Sequence, residues 1–419
     1  MLVDAGSGLF VADTMLLHDK KFPSYQYLDR KTFADIDYGD TTAGASTTDD
    51  RDDFLYQSSI FTPRLVLQDF LRSAESRFFK FVSGKTASIL YVAAGDRHIT
   101  IVIDPATSLV STIDVMYADD MLGDVVRRVE YLLYDSSGRS RYPSHVEERT
   151  FGILMNDLRI KRETIRADST LIVARIPTGY NLAPPAAKAK PVITSTRYNE
   201  HIYFFELQPA ATRVLLVNFK DYLLIAEAPL SAENGELILT KAHELFPKKQ
   251  IKYFLFGHHH PWYLGGVRAL VHAGVTILSQ PQDTNYIRQL VTFTHHLHPD
   301  LLEKEPRALR LQTFDSTIEI GDDKVLMQIL PIGAMSQHTD DYLMYYFPKY
   351  KLLFEDDLIG ISKDKPLRAA SIRQKGLYDG IKMYGLDVDT IVQSWPVDTT
   401  SETIVPFANL EESVRLIKK

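Results

Sequence analysis

Three consecutive histidines, His258-His259-His260, follow the apolar run at residues 251–256 (IKYFLF) and precede Gly265-Gly266. In an extended segment, residues i and i+2 point to the same side. His258 and His260 therefore face one cavity together and His259 turns away. Neutral imidazole is the commonest metal ligand, and two on one side supply two of the three protein ligands that a catalytic zinc site needs. A strand end opening onto a loop is also where ligands collect in α/β folds. The triplet reads equally as surface or hydrogen-bonded core histidines, so the remaining ligands decide. His338, in GAMSQHTDDYLMYYFP, and the acidic pair Asp356-Asp357, in KLLFEDDLIG, each border an apolar strand. Alone, the first reads as a loop histidine and the second as a solvated turn. His295, His296 and His298 could also ligate a metal, but they read as an exposed helix end.

The rest of the composition narrows the chemistry. The 419 residues include no cysteine, which excludes disulfides, a thiolate nucleophile and any Cys-ligated zinc or iron–sulfur centre. Lys and Arg number 47 against 54 Asp and Glu, a net charge of −7 that gives no electrostatic footprint for nucleic acid. No run of about 20 apolar residues is present, so no transmembrane helix is expected. The first residues, MLVDAGSGLFVADTM, lack the basic start and long apolar core of a signal peptide. The expectation is a cytoplasmic chain, or a mature form whose leader has been removed. No GxSxG elbow, Walker A loop or GxGxxG after a strand occurs.

Several strand ends must meet to bring such ligands together. RVLLVNF, YLLIAEAPL, IKYFLFG and VTILSQ are near-continuous apolar strands. They alternate with two helical patterns, residues 231–246 with Ser231 as cap and residues 264–274. This is the pattern of a layered α/β domain whose sheets are buried on both faces. Between residues 79 and 176 the period changes to two. SILYVAAG, HITIVIDP, LVSTIDVMY, VVRRVEYLLYD, HVEERTF and LIVARI, separated by turn residues, predict a meandering antiparallel sheet. A helix is expected from Thr62-Pro63, with Thr62 as cap. The acidic, small-residue segment 35–53 reads as a loop, and the Pro/Ala-rich stretch 181–191 as a domain boundary. The expected domains are residues 1–60, 61–190 and 191–419.

Taken together, these pieces resemble the metallo-β-lactamase superfamily, whose members carry HxHxDH, often as THHHxDHxGG, after a strand. Here residues 257–266 read GHHHPWYLGG. AEAPL (226–230), LFPKKQIKYFLF (245–256), residues 336–359 and YGLDVDTIVQSWP (384–396) follow in the family's order and spacing, over residues 197–405. The resemblance implies a four-layer αββα sandwich. It matches His258 and His260 to the first two motif histidines and His338 to the third histidine of the first metal site. Asp357 matches the carboxylate that often bridges two metals, with Asp356 one position out of register. Glu227 falls where many members have an acidic residue at a strand end behind the ligands. Residues 104–152 are similar to the β-rich segment that precedes this domain in some exported bacterial relatives. That likeness implies a lipoprotein-carrier-like half-barrel and a periplasmic or secreted location.

Three departures affect the second metal site of such enzymes. Trp262 replaces the motif's aspartate, Tyr263 its last histidine, and Trp395, in SWP, the histidine of a GHG. Indole N–H only donates, so tryptophan cannot ligate a cation through it. The expectation is at most one zinc ion, or an iron, on His258, His260, His338 and Asp357. It would activate water on a small-molecule ester, amide or thioester, with Asp357 assisting. The alternative is a catalytically inactive relative that binds a ligand or partner in the bacterial envelope.

Overall fold

The computed structural model describes residues 55–72, 81–83, 86–93, 97–137, 140–161, 181–183 and 189–417, together with the strands Leu2–Asp4, Leu9–Thr14, Ser24–Leu28, Phe33–Asp37 and Thr42–Ala45. The chain forms two compact units. One comprises Met1–Ala118 and Asp124–Lys188, the other Asp119–Gly123 and Ala189–Lys419.

The first unit contains two sheets. Its seven-stranded sheet runs in strict sequence order from Phe81–Ser83 to Ile153–Arg159. This is the meander that the period-two pattern predicts. Alternate residues such as Ile99, Ile101, Val110, Ile113, Val115, Val129 and Val146 bury one face against Leu55, Tyr56, Ile60 and Val66. Val66 lies on the helix Pro63–Arg72, which starts at the expected proline. The Thr62 hydroxyl donates back to the Ser58 carbonyl at 3.1 Å. The edge strand Ile153–Arg159 was not expected, because most of it is exposed and exposed strands carry no alternation to read. The predicted strand at 171–176 lies outside the described residues.

The second sheet corrects the reading of segment 35–53 as a loop. Residues 35–37 and 42–45 are strand, with Ala34 opposite Ala45 and Asp35 opposite Gly44. Small polar residues hide a strand from composition, yet the ladder needs only backbone N–H and C=O groups. The rest of that segment lies outside the described residues.

The second unit is α/β, and its three apolar layers define its architecture. One seven-stranded sheet runs from Val192–Arg197 to Arg310–Thr313. It is antiparallel through Tyr222–Ala226 and parallel from there through Gln250–Leu255, Thr276–Ser279 and Arg310–Thr313. Neighbouring residues of its strands face opposite layers. Leu216, Ile225 and Phe254 pack against Ile238, Ala242, Leu270 and Ile287 on helices. Leu215, Leu224 and Leu255 pack instead against Met327, Tyr345 and Phe354 of a six-stranded sheet. The outer face of that sheet, with Met344, Leu353 and Ile391, is covered by Leu377, Ile381 and Leu410 on helices. The result is a four-layer αββα sandwich. Burial on both faces explains why its strands read as continuous apolar runs, each such side chain contributing about 1.5–3 kcal/mol.

Candidate metal centre

The candidate ligands sit where strands of both sheets end. His258-His260 follow Gln250–Leu255, and Asp356-Asp357 follow Leu352–Glu355. The Gly257 carbonyl accepts from Leu343 N at 2.7 Å, which ties the two strand systems together at this point. His338 follows the short 3-10 turn Gly333–Ser336, where left-handed Gln337 reverses the chain. The Ser336 hydroxyl accepts from His338 N at 3.1 Å and Thr339 N at 3.2 Å and fixes the loop.

His258, His260, His338 and Asp357 converge. Each offers one ligand atom, and these atoms lie within 4.8 Å of one another. His258 Nε2 is 3.0 Å from His260 Nδ1, and His338 Nε2 is 3.2 Å from Asp357 Oδ2. Around a tetrahedral ion with ~2.0–2.1 Å metal–nitrogen bonds, ligand atoms stand roughly 3.3–3.4 Å apart, so the spacing suits one cation. The buried Nε2 of His338 faces the Asp357 carboxylate, with which it interacts. His259 does not join. Its N donates to Asp341 Oδ2 at 2.7 Å, and its ring lies against the same carboxylate.

Burial pushes His258 down to about 4, against the opposing pull of Asp357. His260 is also pushed down to about 4, by burial and then by the neighbouring imidazoles. His338 is lowered by burial as well. All three are thus neutral near pH 7, the form that binds a metal.

Asp356, one position out of register in the sequence, lies behind His258. Its Oδ2 lies 2.8 Å from His258 Nδ1, so Nδ1–H donates and Nε2 faces the set. A carboxylate behind a ligating histidine fixes tautomer and orientation in this way. Glu227, buried and left-handed at the end of Tyr222–Ala226, accepts from Gly257 N at 3.1 Å and shares a hydrogen bond with Asp356. Burial, followed by each other's charge, raises Glu227; burial and neighbouring carboxylates raise Asp356. The pair therefore retains a proton. Gly257 permits this approach, since a Cβ there would stand 2.1 Å from Asp356 Oδ2. Tyr342 completes the support. Its ring stacks on His258 at 4.9 Å, and its hydroxyl accepts from the backbone N–H of Asp356 and Asp357, both at 3.0 Å, and donates to Glu355.

The opposite side is aromatic. Trp262 and Trp395 pack with ring centroids 5.6 Å apart, and Trp395 N donates to the Asp356 carbonyl at 2.9 Å. Tyr263 is buried against the His258 ring at 4.4 Å. Burial, and after it the surrounding carboxylates, push its hydroxyl up, which favours the phenol.

Three further polar groups lie outside this set. Asp341, although burial pushes it up, is held at about 2 by His259, and Asp283 beside it is raised to about 7 by burial and then by Asp341. His295 is buried and His296 lies 3.1 Å from Glu303; among the described residues, His295, His296 and His298 form no ligand set. The second set found there, His145, Glu147 and Asp157, lies in the first unit. It is already engaged: His145 Nε2 is 2.8 Å from Asp157 and Arg149 donates to Glu147 at 2.6 Å.

No protein-family profile and no curated protein matches the chain. Solved structures do. It is similar to a metallo-β-lactamase from Pontibacter korlensis at 16% identity, covering 54% of this chain and 98% of that one, with TM-score 0.39. It is similar to the DIM-1 metallo-β-lactamase at 13% identity, over 54% and 96%, with TM-score 0.38. A flavoprotein from Thermotoga maritima matches at 12% identity, over 54% and 61%, with TM-score 0.39. These similarities give no support to a carrier-like half-barrel at the N-terminus. The functional reading rests on this chain's own side chains.

Proposed function

We propose that the second unit is a metallo-β-lactamase-like hydrolase domain with a single divalent cation, zinc by preference, held by His258, His260 and His338. The observation that carries this reading is the convergence of three neutral imidazoles and Asp357, whose ligand atoms lie within 4.8 Å of one another. Such a cation acidifies water and polarises a carbonyl. Asp356 holds His258 in the ligating tautomer. Asp357 borders the remaining position, completes the ligand set or accepts the proton of the attacking water, and is kept in place by its own N–H on the Tyr342 hydroxyl. Trp262, Tyr263 and Trp395 fill the volume where relatives of the family place a second metal. The substrate is an ester, amide or thioester.

The test uses full-length protein purified without chelator or nickel affinity. Metal-dependent turnover of a panel of activated esters, amides and thioesters is expected, together with its loss in His338→Ala at unchanged circular dichroism. Turnover that survives metal removal contradicts the reading. The tryptophan pair favours a second reading, a ligand-binding relative without catalysis; bound metal with no turnover across the panel would select it. The sequence likeness of residues 104–152 extends the proposal to an envelope location, checked by fractionating the native cells: recovery in the cytoplasm removes it.

Among the described residues, no helix is long and apolar enough to cross a membrane.

A further inference from the structure

The two loops that carry the three imidazoles are tied together by a carboxylate outside the ligand set. Asp341 stands three residues beyond His338, on the same loop. Its Oδ2 accepts from the backbone N–H of His259 at 2.7 Å. Its two oxygens lie 3.1 and 3.0 Å from Nδ1 of the His259 ring. His259 sits between His258 and His260, so the place where its backbone is held decides where both imidazoles start. One buried side chain thus joins the segment bearing two of the histidines to the loop bearing the third. Asp341 is only 4% exposed, and away from water such hydrogen bonds are electrostatically stronger.

A third segment joins through Asp283. This residue ends the 3-10 turn Pro281–Asp283, which follows the strand Thr276–Ser279, and it is buried. Asp283 and Asp341 share a hydrogen bond. Two carboxylates only accept, so the bond requires a proton. Asp341 is the ionised partner: burial pushes it up, but His259 holds it at about 2. Asp283 keeps the proton, raised to about 7 by burial and then by Asp341. The neighbouring Gln282 amide donates to the Asp340 carbonyl at 3.4 Å and adds a second tie between the same segments. The titratable groups acting on Asp283 are Asp341 and His259. The charge of Asp341 also reaches His258 and Asp356. Tyr286 lies edge-on to His259 at 6.1 Å, its hydroxyl raised by burial and then by Asp119.

We infer that Asp341 and Asp283 form a proton-holding latch that positions His258, His260 and His338 for the cation. Both are positioning residues, and they act through His259. Below neutral pH the latch is closed, because Asp283 donates to Asp341. Once Asp283 ionises, the shared hydrogen bond is lost and two buried carboxylates face each other, a repulsive arrangement. The inference deepens the metal-centre reading and rests on it for what the histidines hold; the latch itself can be tested on the metal-free chain.

The experiment uses the full-length chain and has two arms. In the first, zinc affinity is measured by competition with a chromophoric chelator. Asp341→Ala should weaken it by about 10–100-fold, and His259→Ala, which keeps the backbone bond, by less. The double variant should be no weaker than Asp341→Ala alone, because both changes act on one contact. Asp341→Asn, which keeps the shape, stands in if the alanine variant does not fold. An Asp341 variant within about twofold of wild type, or losses that add in the double variant, overturns the role of Asp341. Asp283→Asn donates the hydrogen bond at every pH. The ratio of its zinc affinity to that of wild type should be near one at pH 6 and rise at pH 8.5. A ratio equal at both, as a purely structural role would give, overturns the role of Asp283.

The second arm follows melting of the metal-free chain. A group raised in the folded state loses its stabilising contribution as pH rises from its unfolded to its folded value. For Asp283 these are 3.8 and about 7. The melting temperature of Asp283→Asn relative to wild type should therefore climb between pH 4 and pH 7 and level off above. Other groups titrate alike in both chains and cancel. A flat difference overturns the latch. If wild type binds no zinc while this arm gives the climb, the metal reading fails and the latch stands.

Discussion

The two halves of the candidate centre are built from different chemistry on the same scaffold. On one side, His258, His260 and His338 are neutral and convergent, and His258 is backed by the Asp356 carboxyl at 2.8 Å. On the other, Trp262, Tyr263 and Trp395 offer rings that pack on one another and on His258. The histidine side gathers three imidazoles and a carboxylate at a spacing that suits one cation. The aromatic side offers a cation no lone pair from an indole N–H, and its rings pack on one another with Trp262 partly exposed. One fold thus keeps a half suited to a cation next to a half of packed rings.

The contrast can be broken first at the histidines. His258→Ala should weaken metal binding by more than about 100-fold, beyond the range expected for outer partners of a metal site, measured by competition with a chromophoric chelator. Near-wild-type affinity would remove His258 from the set. The next largest effect is expected at Gly257. An alanine Cβ would meet Asp356 Oδ2 at 2.1 Å, and Gly257→Ala should cost about 3 kcal/mol of stability and displace the carboxyl. Urea unfolding checks it, and a shift below 0.5 kcal/mol, on the scale of ordinary surface changes, contradicts the packing described (roughly ±0.5). Asp356→Asn, which keeps the shape but weakens the acceptor behind Nδ1, should reduce metal affinity by about 10–100-fold without removing the site. On the aromatic side, Trp395→Ala should destabilise by about 1–3 kcal/mol while metal content stays unchanged. A change in metal stoichiometry there would show that the aromatic half takes part in ligation.

The smallest effect is a pH dependence of the metal-free chain. His258 and His260 stand at about 4, below the ordinary 6.5. An unfolded chain takes up protons below pH 6.5 that the folded one refuses, so their contribution is full above 6.5 and is lost as pH falls toward 4. Glu355, raised by burial to about 8 from 4.5, acts in the opposite direction: its contribution is full below 4.5 and is lost as pH rises through 8. Melting temperature should therefore fall at both extremes. Added zinc should hold it up from pH 6 to 8, where the imidazoles are free to bind.

Much of the sandwich and the histidine set was legible because their signals are local. Strands buried on both faces are apolar throughout, and His258 and His260 share a side through the i, i+2 rule alone. Apart from Glu227, which the resemblance placed behind the ligands, the supporting shell was not, because it depends on which strand ends meet. Asp356 and Asp357 are adjacent, and a one-residue step decides which faces the cation and which backs His258. Asp341 and Tyr342 gain their roles only when the loop after His338 folds over the end of Gln250–Leu255. In the first unit, the strands at 35–37, 42–45 and 153–159 escaped because backbone pairing leaves no mark on small or exposed side chains.

The central claim is one cation per chain, on the histidine half. The most direct measurement is the metal content of untagged, chelator-free protein by inductively coupled plasma mass spectrometry, alongside zinc titration of the chelator-treated form. The account predicts one equivalent in wild type and in Trp262→Ala, and none in His338→Ala. No metal in wild type and no saturable zinc binding, or two equivalents of which one depends on Trp262 or Trp395, would contradict it.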